Sequence, residues 1–146
     1  MVSMEAKEII SRLPYRKPFL FVDELLECNE TGIKGTYTYN PELDFYKGHF
    51  TGNPITPGVI LTETMAQIGV VCLGIYLLGN IKPDFGIALT SAETEFLKPV
   101  FPGETVTVIS EKVYFRFGKL KCRVIMRNAK AEEVCRGTIA GMITNK

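Results

Sequence analysis

The amino-acid sequence predicts an α+β fold in which an antiparallel β-sheet wraps around one long buried helix. A stretch from about Pro57 to Leu78 is apolar on nearly every side, which is typical of a helix enclosed by the core. The strand-like segments follow one another instead of alternating with helices, and this order favours an antiparallel sheet. The chain has 146 residues, which fits one domain, and we expect that domain to span 1–146.

The predicted elements follow in order along the chain. Ser3 can cap a short first helix that Pro14 ends, since proline cannot continue a helix. Thr56 suits the N-cap of the central helix, and Pro57 suits its first turn. Segments rich in Val, Ile, Thr and aromatic residues predict two strands before the central helix and four after it. They cover residues 18–28, 33–40, 86–100, 104–117, 120–128 and 132–143. The edge strands of such a sheet have unpaired backbone groups that need to be covered. We therefore expect a dimer in which the sheet edges of two chains are joined.

Composition and charge narrow the class of protein. The formal net charge is +1, and no nucleic-acid partner is expected. Four cysteines without C-x-x-C spacing and a single histidine argue against a metal site, so we expect neither metal nor cofactor. The charged N-terminus does not resemble a signal peptide, and the apolar run 68–79 is shorter than the roughly 20 residues of a membrane span. We therefore expect a cytoplasmic protein that does not enter a membrane.

The stretch GHFTGNPITPGVILTETMAQ, residues 48–67, concentrates the candidate chemistry. His49 is the chain's single histidine, and it lies in a Gly- and Pro-rich loop that restricts its backbone. Because the imidazole of histidine titrates near neutral pH, this residue type suits a general base. A surface histidine with no catalytic role is the alternative.

Glu63 is the single charged residue of the predicted central helix. Burial raises the pKa of a carboxyl group, and a raised pKa suits a general acid. An acid that faces solvent at the helix edge is the alternative. Gln67 lies one turn further on and can hydrogen-bond this carboxyl. Gly58 opens the helix, where free N–H groups favour developing negative charge. These parts together suit proton abstraction beside a carbonyl.

Three segments resemble, in order and spacing, the 3-hydroxyacyl-acyl-carrier-protein dehydratases of the FabZ type. They are LPYRKPFLFVDELLE at 13–27, the stretch at 48–67, and TEFLKPVFPGE at 94–104. The resemblance implies the hotdog fold, in which an antiparallel sheet wraps a long central helix. It also implies a homodimer, commonly a trimer of dimers. The implied reaction converts (3R)-3-hydroxyacyl carrier protein to the trans-2-enoyl thioester, with the acyl chain linked through phosphopantetheine to acyl carrier protein.

The resemblance also implies a role for each matched position. His49 would take the proton from C2 of the substrate, and Glu63 would deliver a proton to the leaving 3-hydroxyl. The N–H of Gly58 would polarise the thioester carbonyl, with Val59 beside it in the substrate-binding segment. Gln67 would support the acid. In this family the histidine and the glutamate meet across the dimer interface, so an active site needs two chains.

Three positions depart from the family pattern. Tyr15, Thr51 and Thr56 stand where the family usually has His, Pro and Met. None of these changes removes a catalytic group, but they leave open whether the pathway is general fatty acid synthesis or a specialised one.

Acyl carrier proteins are acidic as a class, so exposed cations are the expected contacts with the carrier. The candidates are Lys98, Arg116, Lys119 and Lys121. A hotdog acyl thioesterase and a non-catalytic acyl-binding or assembly subunit remain alternative functions at this point.

Overall fold

The computed structural model describes residues 5–79 and 85–145. A short helix, α1, spans Ala6–Ser11; the predicted cap at Ser3 lies outside the described residues. The central helix runs from Gly58 to Leu78. It consists of α2 (Gly58–Ala66), a π-helical turn (Gln67–Cys72) and α3 (Leu73–Leu78). A 3₁₀ turn, Asp44–Lys47, precedes it.

Six strands form one sheet with the order β1-β2-β4-β5-β6-β3, and every neighbouring pair is antiparallel. The strands are β1 (Glu24–Asn29), β2 (Gly32–Thr38), β3 (Phe85–Phe96), β4 (Thr105–Arg116), β5 (Lys119–Arg127) and β6 (Glu133–Asn145). The predicted fold, an antiparallel sheet around one long helix, is confirmed. It is the hotdog fold that the resemblance implied.

The central helix packs on one face of the sheet. Met65, Ile68 and Leu73 of the helix are fully buried, as are Val124 and Ile139 of the sheet. At about 25 cal/mol per Å² of apolar surface, burial of such side chains is the main favourable term in folding. The core therefore lies between helix and sheet.

The helix approaches the sheet closely at Gly69. A Cβ atom at this position would lie 3.1 Å from both Cβ of Ser110 and Cγ1 of Val124. The Ser110 hydroxyl donates a hydrogen bond of 2.9 Å to the Gly69 carbonyl, so this buried hydroxyl has a partner. A methyl group at position 69 would require the helix or these two side chains to shift by a few tenths of an ångström.

The central helix is long and apolar enough, by length and composition, to cross a membrane. The sequence argument counted a shorter apolar run and missed this. Of the relevant window, 72% is buried inside the protein, which is what a core helix of a hotdog fold requires. Burial in the core therefore explains the length and the apolar composition of this helix.

Several predicted boundaries were wrong, among them the end of the third strand, which was predicted at residue 100 and lies at Phe96. The first strand begins at Glu24 and not at residue 18, because the backbone at Phe19 and Phe21 hydrogen-bonds a helix side chain, Gln67. The central helix begins at Gly58 with Pro57 as its N-cap residue. Thr56 does not cap it, because the Thr56 hydroxyl bonds to Tyr46.

Candidate active site

The loop before the central helix holds His49 through three contacts. The backbone N–H of His49 donates to Phe45 O at 3.0 Å, and its carbonyl accepts from Ile55 N at 2.9 Å. The ring nitrogen Nδ1 lies 2.9 Å from the Ile55 carbonyl oxygen. A carbonyl can only accept a hydrogen bond, so the proton of the neutral ring is on Nδ1. The other ring nitrogen, Nε2, then carries a lone pair that can accept a proton.

His49 is half-buried and its ring stacks on Phe50, with centroids 4.0 Å apart. The peptide bond between the two residues is cis. The stacked rings lie side by side on the loop, and Phe50 is 52% exposed.

His49 and Gly58 line the same cavity, which has a volume of about 320 Å³. Phe96 and Lys98, from the end of β3 and the segment after it, line it too. A Cβ atom on residue 58 would lie 2.9 Å from Cζ of Phe96, so a larger residue there would displace the aromatic ring that covers the start of the helix. Within the described chain, no hydrogen bond occupies the N–H of Gly58. This N–H is free to bind a ligand oxygen.

Glu63 lies five residues after Gly58 in α2 and is paired with Gln67. Nε2 of Gln67 donates to Oε2 of Glu63 at 3.0 Å and to Phe19 O at 3.0 Å. Oε1 of Gln67 accepts the N–H of Phe21 at 2.8 Å. Both amide protons are used, so the amide cannot flip without losing three hydrogen bonds. Oε2 of Glu63 is therefore held as an acceptor, and an acidic proton would sit on Oε1.

Burial raises the pKa of the Glu63 carboxyl above its ordinary value, and the hydrogen bond from Gln67 partly opposes this rise. Burial, together with the nearby Glu63 charge, also raises the pKa of Tyr15 to about 12. Tyr15 is one of the positions that depart from the family pattern, and its neutral phenol lies in the electrostatic field of the acid. The raised pKa of the Glu63 carboxyl is the property that the sequence predicted for this residue.

The structure brings together only part of the predicted set within one chain. Glu63 and Gln67 are not among the described residues that line the cavity at His49. Val59 is 75% exposed, although it follows Gly58 directly in the apolar helix. The predicted base and the predicted acid therefore do not line one cavity within a single chain.

The four predicted carrier contacts do not form one patch. Ala88 and Phe96 of β3 pair with Met142 and Cys135 of β6, and Met142 pairs in turn with Lys119. The β4–β5 hairpin therefore lies at the far end of the sheet from the cavity, about 26 Å away at 3.3 Å per residue. Lys98 lines the cavity, but its ammonium is already paired with Glu132.

The cations of the hairpin surround an aromatic side chain. The Arg116 guanidinium lies 4.5 Å from the centroid of the Tyr114 ring, and the Lys121 ammonium lies 6.0 Å from it. Phe117 at the tip is 94% exposed. The hairpin is a basic surface with an apolar tip.

Sequence reasoning missed two residues of this site. Phe96 lies in a segment that carried the family resemblance, but its place over Gly58 follows from the pairing of β3 with β6. Tyr46 is buried, and its hydroxyl bonds to that of Thr56. No spacing rule joins two hydroxyls across a loop, so the sequence held no signal for this pair.

Comparison with known proteins identifies the family. Residues 13–140 match the FabA-like domain family, so the fold and the cavity define a hotdog protein of the FabA-like class. The 3-hydroxyacyl-acyl-carrier-protein dehydratase FabZ of Fusobacterium nucleatum is 34% identical over 134 residues, covering 89% of this chain and 92% of the relative. The FabZ of Thermus thermophilus is 37% identical over 123 residues, covering 83% and 84%. This chain belongs to the FabZ family of dehydratases.

Solved structures share the fold at low sequence identity. A Streptococcus mutans protein bound to acetyl CoA superposes with a TM-score of 0.63 at 17% identity, covering 92% of this chain and 97% of that protein. A hypothetical thioesterase of Streptococcus pneumoniae with coenzyme A gives a TM-score of 0.61 at 14% identity, covering 84% and 86%. At these identities the likeness concerns the fold alone.

The raised pKa of Glu63 predicts a pH dependence of stability. The folded protein binds the carboxyl proton more tightly than the unfolded chain, whose ordinary value is 4.5. The stabilising contribution is fully present below 4.5 and is lost as the pH rises through the raised pKa. Wild type should therefore lose free energy of unfolding relative to Glu63→Gln as the pH rises above 4.5, as measured by urea denaturation. Glu30→Gln, at an exposed turn position, is the matched control. A difference between Glu63→Gln and wild type that is constant with pH would contradict the assignment.

Proposed function

We propose that this protein dehydrates (3R)-3-hydroxyacyl-acyl-carrier-protein to trans-2-enoyl-acyl-carrier-protein, as the names of its FabZ relatives indicate for those proteins. The observation that carries the proposal is the cavity that His49 and Gly58 line together. It combines a ring nitrogen free to accept a proton with a backbone N–H free to bind a carbonyl oxygen. The protein spans one domain in this proposal and acts in the cytoplasm.

The reaction needs a base at C2 and an acid at the 3-hydroxyl. Nε2 of His49 accepts the C2 proton, and the electrons move towards the thioester carbonyl. The N–H of Gly58 donates to that oxygen as negative charge develops, and loss of one such donor typically costs about 10²–10³ in rate. Oε1 of Glu63 gives its proton to the 3-hydroxyl as the C3–O bond breaks, which releases water and leaves the double bond. Solvent then restores the proton to Glu63 and removes it from His49.

Two chains complete the site in this proposal. Glu63 is absent from the cavity that His49 lines, so an acid from a second copy is needed. The free edge of β3 supplies the contact, because it is twelve residues long and carries the exposed side chains of Leu89 and Phe96. Twofold pairing of this edge with its copy joins two sheets and removes the free edge. We propose a homodimer on this basis, and a trimer of dimers as the family resemblance implies.

The same pairing brings the partner's hairpin to the cavity. Two β3 strands that pair about a twofold axis are antiparallel, so the start of one strand lies beside the end of the other. The β4–β5 hairpin lies at the start of β3 in its own chain. We propose that Arg116, Lys119 and Lys121 of one chain and Lys98 of the other receive acyl carrier protein at the cavity mouth.

The first prediction concerns the acid. Glu63→Gln keeps the shape and a hydrogen bond to Gln67 but has no acidic proton, so kcat for dehydration should fall about 10²-fold or more. Loss of the enoyl absorbance signal in the ultraviolet measures this, with Glu30→Gln as the control. Near wild-type turnover by Glu63→Gln would show that the acid is structural. Release of free thiol from the acyl thioester by wild type would instead favour the thioesterase alternative.

A second prediction follows from the shared site. His49→Ala and Glu63→Ala chains are each inactive alone in this proposal. When the two are mixed, unfolded and refolded together, dimers with one chain of each kind contain one intact site and regain part of the activity. Refolded mixtures that show dimers by light scattering but no activity would contradict a site built from two chains.

A third prediction concerns the carrier. Arg116→Ala/Lys119→Ala should raise KM for the carrier-linked substrate, and added salt should reduce the difference from wild type because exposed charges are screened over about 10 Å at 0.1 M. A short acyl thioester without a carrier should be turned over at the wild-type rate. Lys7→Ala, an exposed cation on α1, is the control. Equal KM values for wild type and the double variant on the carrier-linked substrate would exclude the hairpin as a docking surface.

A further inference from the structure

A pair of buried hydroxyls closes the loop that carries His49. Tyr46 lies in the 3₁₀ turn that comes before His49, and Thr56 lies just before the central helix. The Tyr46 hydroxyl and Oγ1 of Thr56 share a hydrogen bond. Tyr46 is 6% exposed and Thr56 is 3% exposed, so water does not compete for either hydroxyl. The bond thus joins the two ends of the loop inside the protein.

Thr56 is also bound through its backbone. Its N–H donates to the carbonyl of Val100 at 2.9 Å, and Val100 is fully buried after the end of β3. The peptide unit that contains this N–H also contains the Ile55 carbonyl. That carbonyl is the one that lies 2.9 Å from Nδ1 of His49. The same rigid peptide plane is therefore fixed on one side by the sheet and faces the imidazole on the other.

We propose that Tyr46 and Thr56 are positioning residues for His49. Their hydroxyl bond holds the peptide between Ile55 and Thr56, so that the Ile55 carbonyl keeps the ring proton on Nδ1 and leaves Nε2 to accept the proton of the substrate. The inference rests on the proposed role of His49 as the base. It adds the element that sets the orientation and the tautomer of the ring.

Each single substitution tests one hydroxyl. Thr56→Val and Tyr46→Phe keep the shape of the side chain but remove the bond, and the double variant removes both hydroxyls without leaving a buried one unpaired. We expect kcat to fall about tenfold in all three, since small misplacement of a catalytic group costs rate, while KM stays within about twofold. Thr56→Ser keeps the hydroxyl and should restore kcat.

The control removes the same group elsewhere in the core. The Tyr39 hydroxyl forms a buried hydrogen bond of 2.6 Å with Thr64, whose own hydroxyl donates to the Ile60 carbonyl. Tyr39→Phe thus deletes a buried phenol hydroxyl in the same kind of pair, whose partner is Thr64 of α2 and not a residue of the His49 loop. It should lower the thermal midpoint by an amount similar to Tyr46→Phe but leave kcat unchanged. If kcat fell only because the folded protein is less stable, Tyr46→Phe and Tyr39→Phe would both show the loss.

The single histidine allows a readout that does not depend on turnover. Long-range ¹H–¹⁵N spectra at alkaline pH contain the signals of one imidazole, and the ¹⁵N shifts report which nitrogen holds the proton. Wild type, Thr56→Ser and Tyr39→Phe should show the Nδ1–H form. Tyr46→Phe, Thr56→Val and the double variant should shift towards the Nε2–H form.

The outcomes separate the two proposals. Wild-type kcat together with the Nδ1–H form in Tyr46→Phe and Thr56→Val would overturn the positioning role and leave the proposed reaction intact. Full activity of His49→Ala would overturn the proposed reaction instead, whatever the spectra show. If a single variant does not fold, the double variant, in which no hydroxyl is left unpaired, decides the question by the same two measurements.

Discussion

The burial of one apolar helix against one face of an antiparallel sheet governs the rest of this protein. Because the side chains between them are buried, a polar side chain there needs a partner within the protein. Four polar side chains of the described residues are buried, Thr56, Thr64, Gln67 and Ser110, and all four have hydrogen bonds. These bonds run from the helix or its approach to the surrounding segments. The polar contacts of the core therefore fix where the helix lies, while the apolar contacts supply the free energy.

Gln67 illustrates how one such contact joins structure to chemistry. Its amide hydrogen-bonds the backbone at Phe19 and Phe21, where a neighbouring strand would otherwise do so. The first strand therefore starts after these residues and not at residue 18. The same amide donates to the Glu63 carboxyl and leaves a single oxygen for an acidic proton. The orientation of the acid is thus a by-product of how the segment before β1 crosses the helix. Substitutions at residues 19–21 that disturb the backbone would act on the acid without touching it.

The sequence predicted the parts of this protein that depend on local pattern. The apolar run of the central helix, the Val-, Ile-, Thr- and aromatic-rich composition of the strands and the segments that resemble the FabZ family all depend on neighbouring residues. They led to the correct fold and family. The arrangement of strands needed more, because β3 pairs with β6 and not with its neighbour β4.

Long-range contacts account for what sequence reasoning could not find. The side chain of Thr56 is suited to an N-cap, but its hydroxyl hydrogen-bonds the buried phenol of Tyr46 instead of the helix. Lys98 and Lys119 look alike in the sequence, yet the strand register separates them by the length of the sheet. Phe96 covers Gly58 only because β3 ends there.

The strand order has a consequence for how the chain folds during its synthesis. β3 pairs only with β6, the last of the six strands to be made, and residues 97–132 separate the two strands in the sequence. Phe96, which pairs with Cys135, and Lys98, whose N–H donates to the Val134 carbonyl, have no strand partner until β6 is made. A nascent chain can bury its central helix on β1, β2, β4 and β5 but cannot complete the cavity. The strand that supports the wall of the cavity at Phe96 and Lys98 is therefore the last of the six to be made.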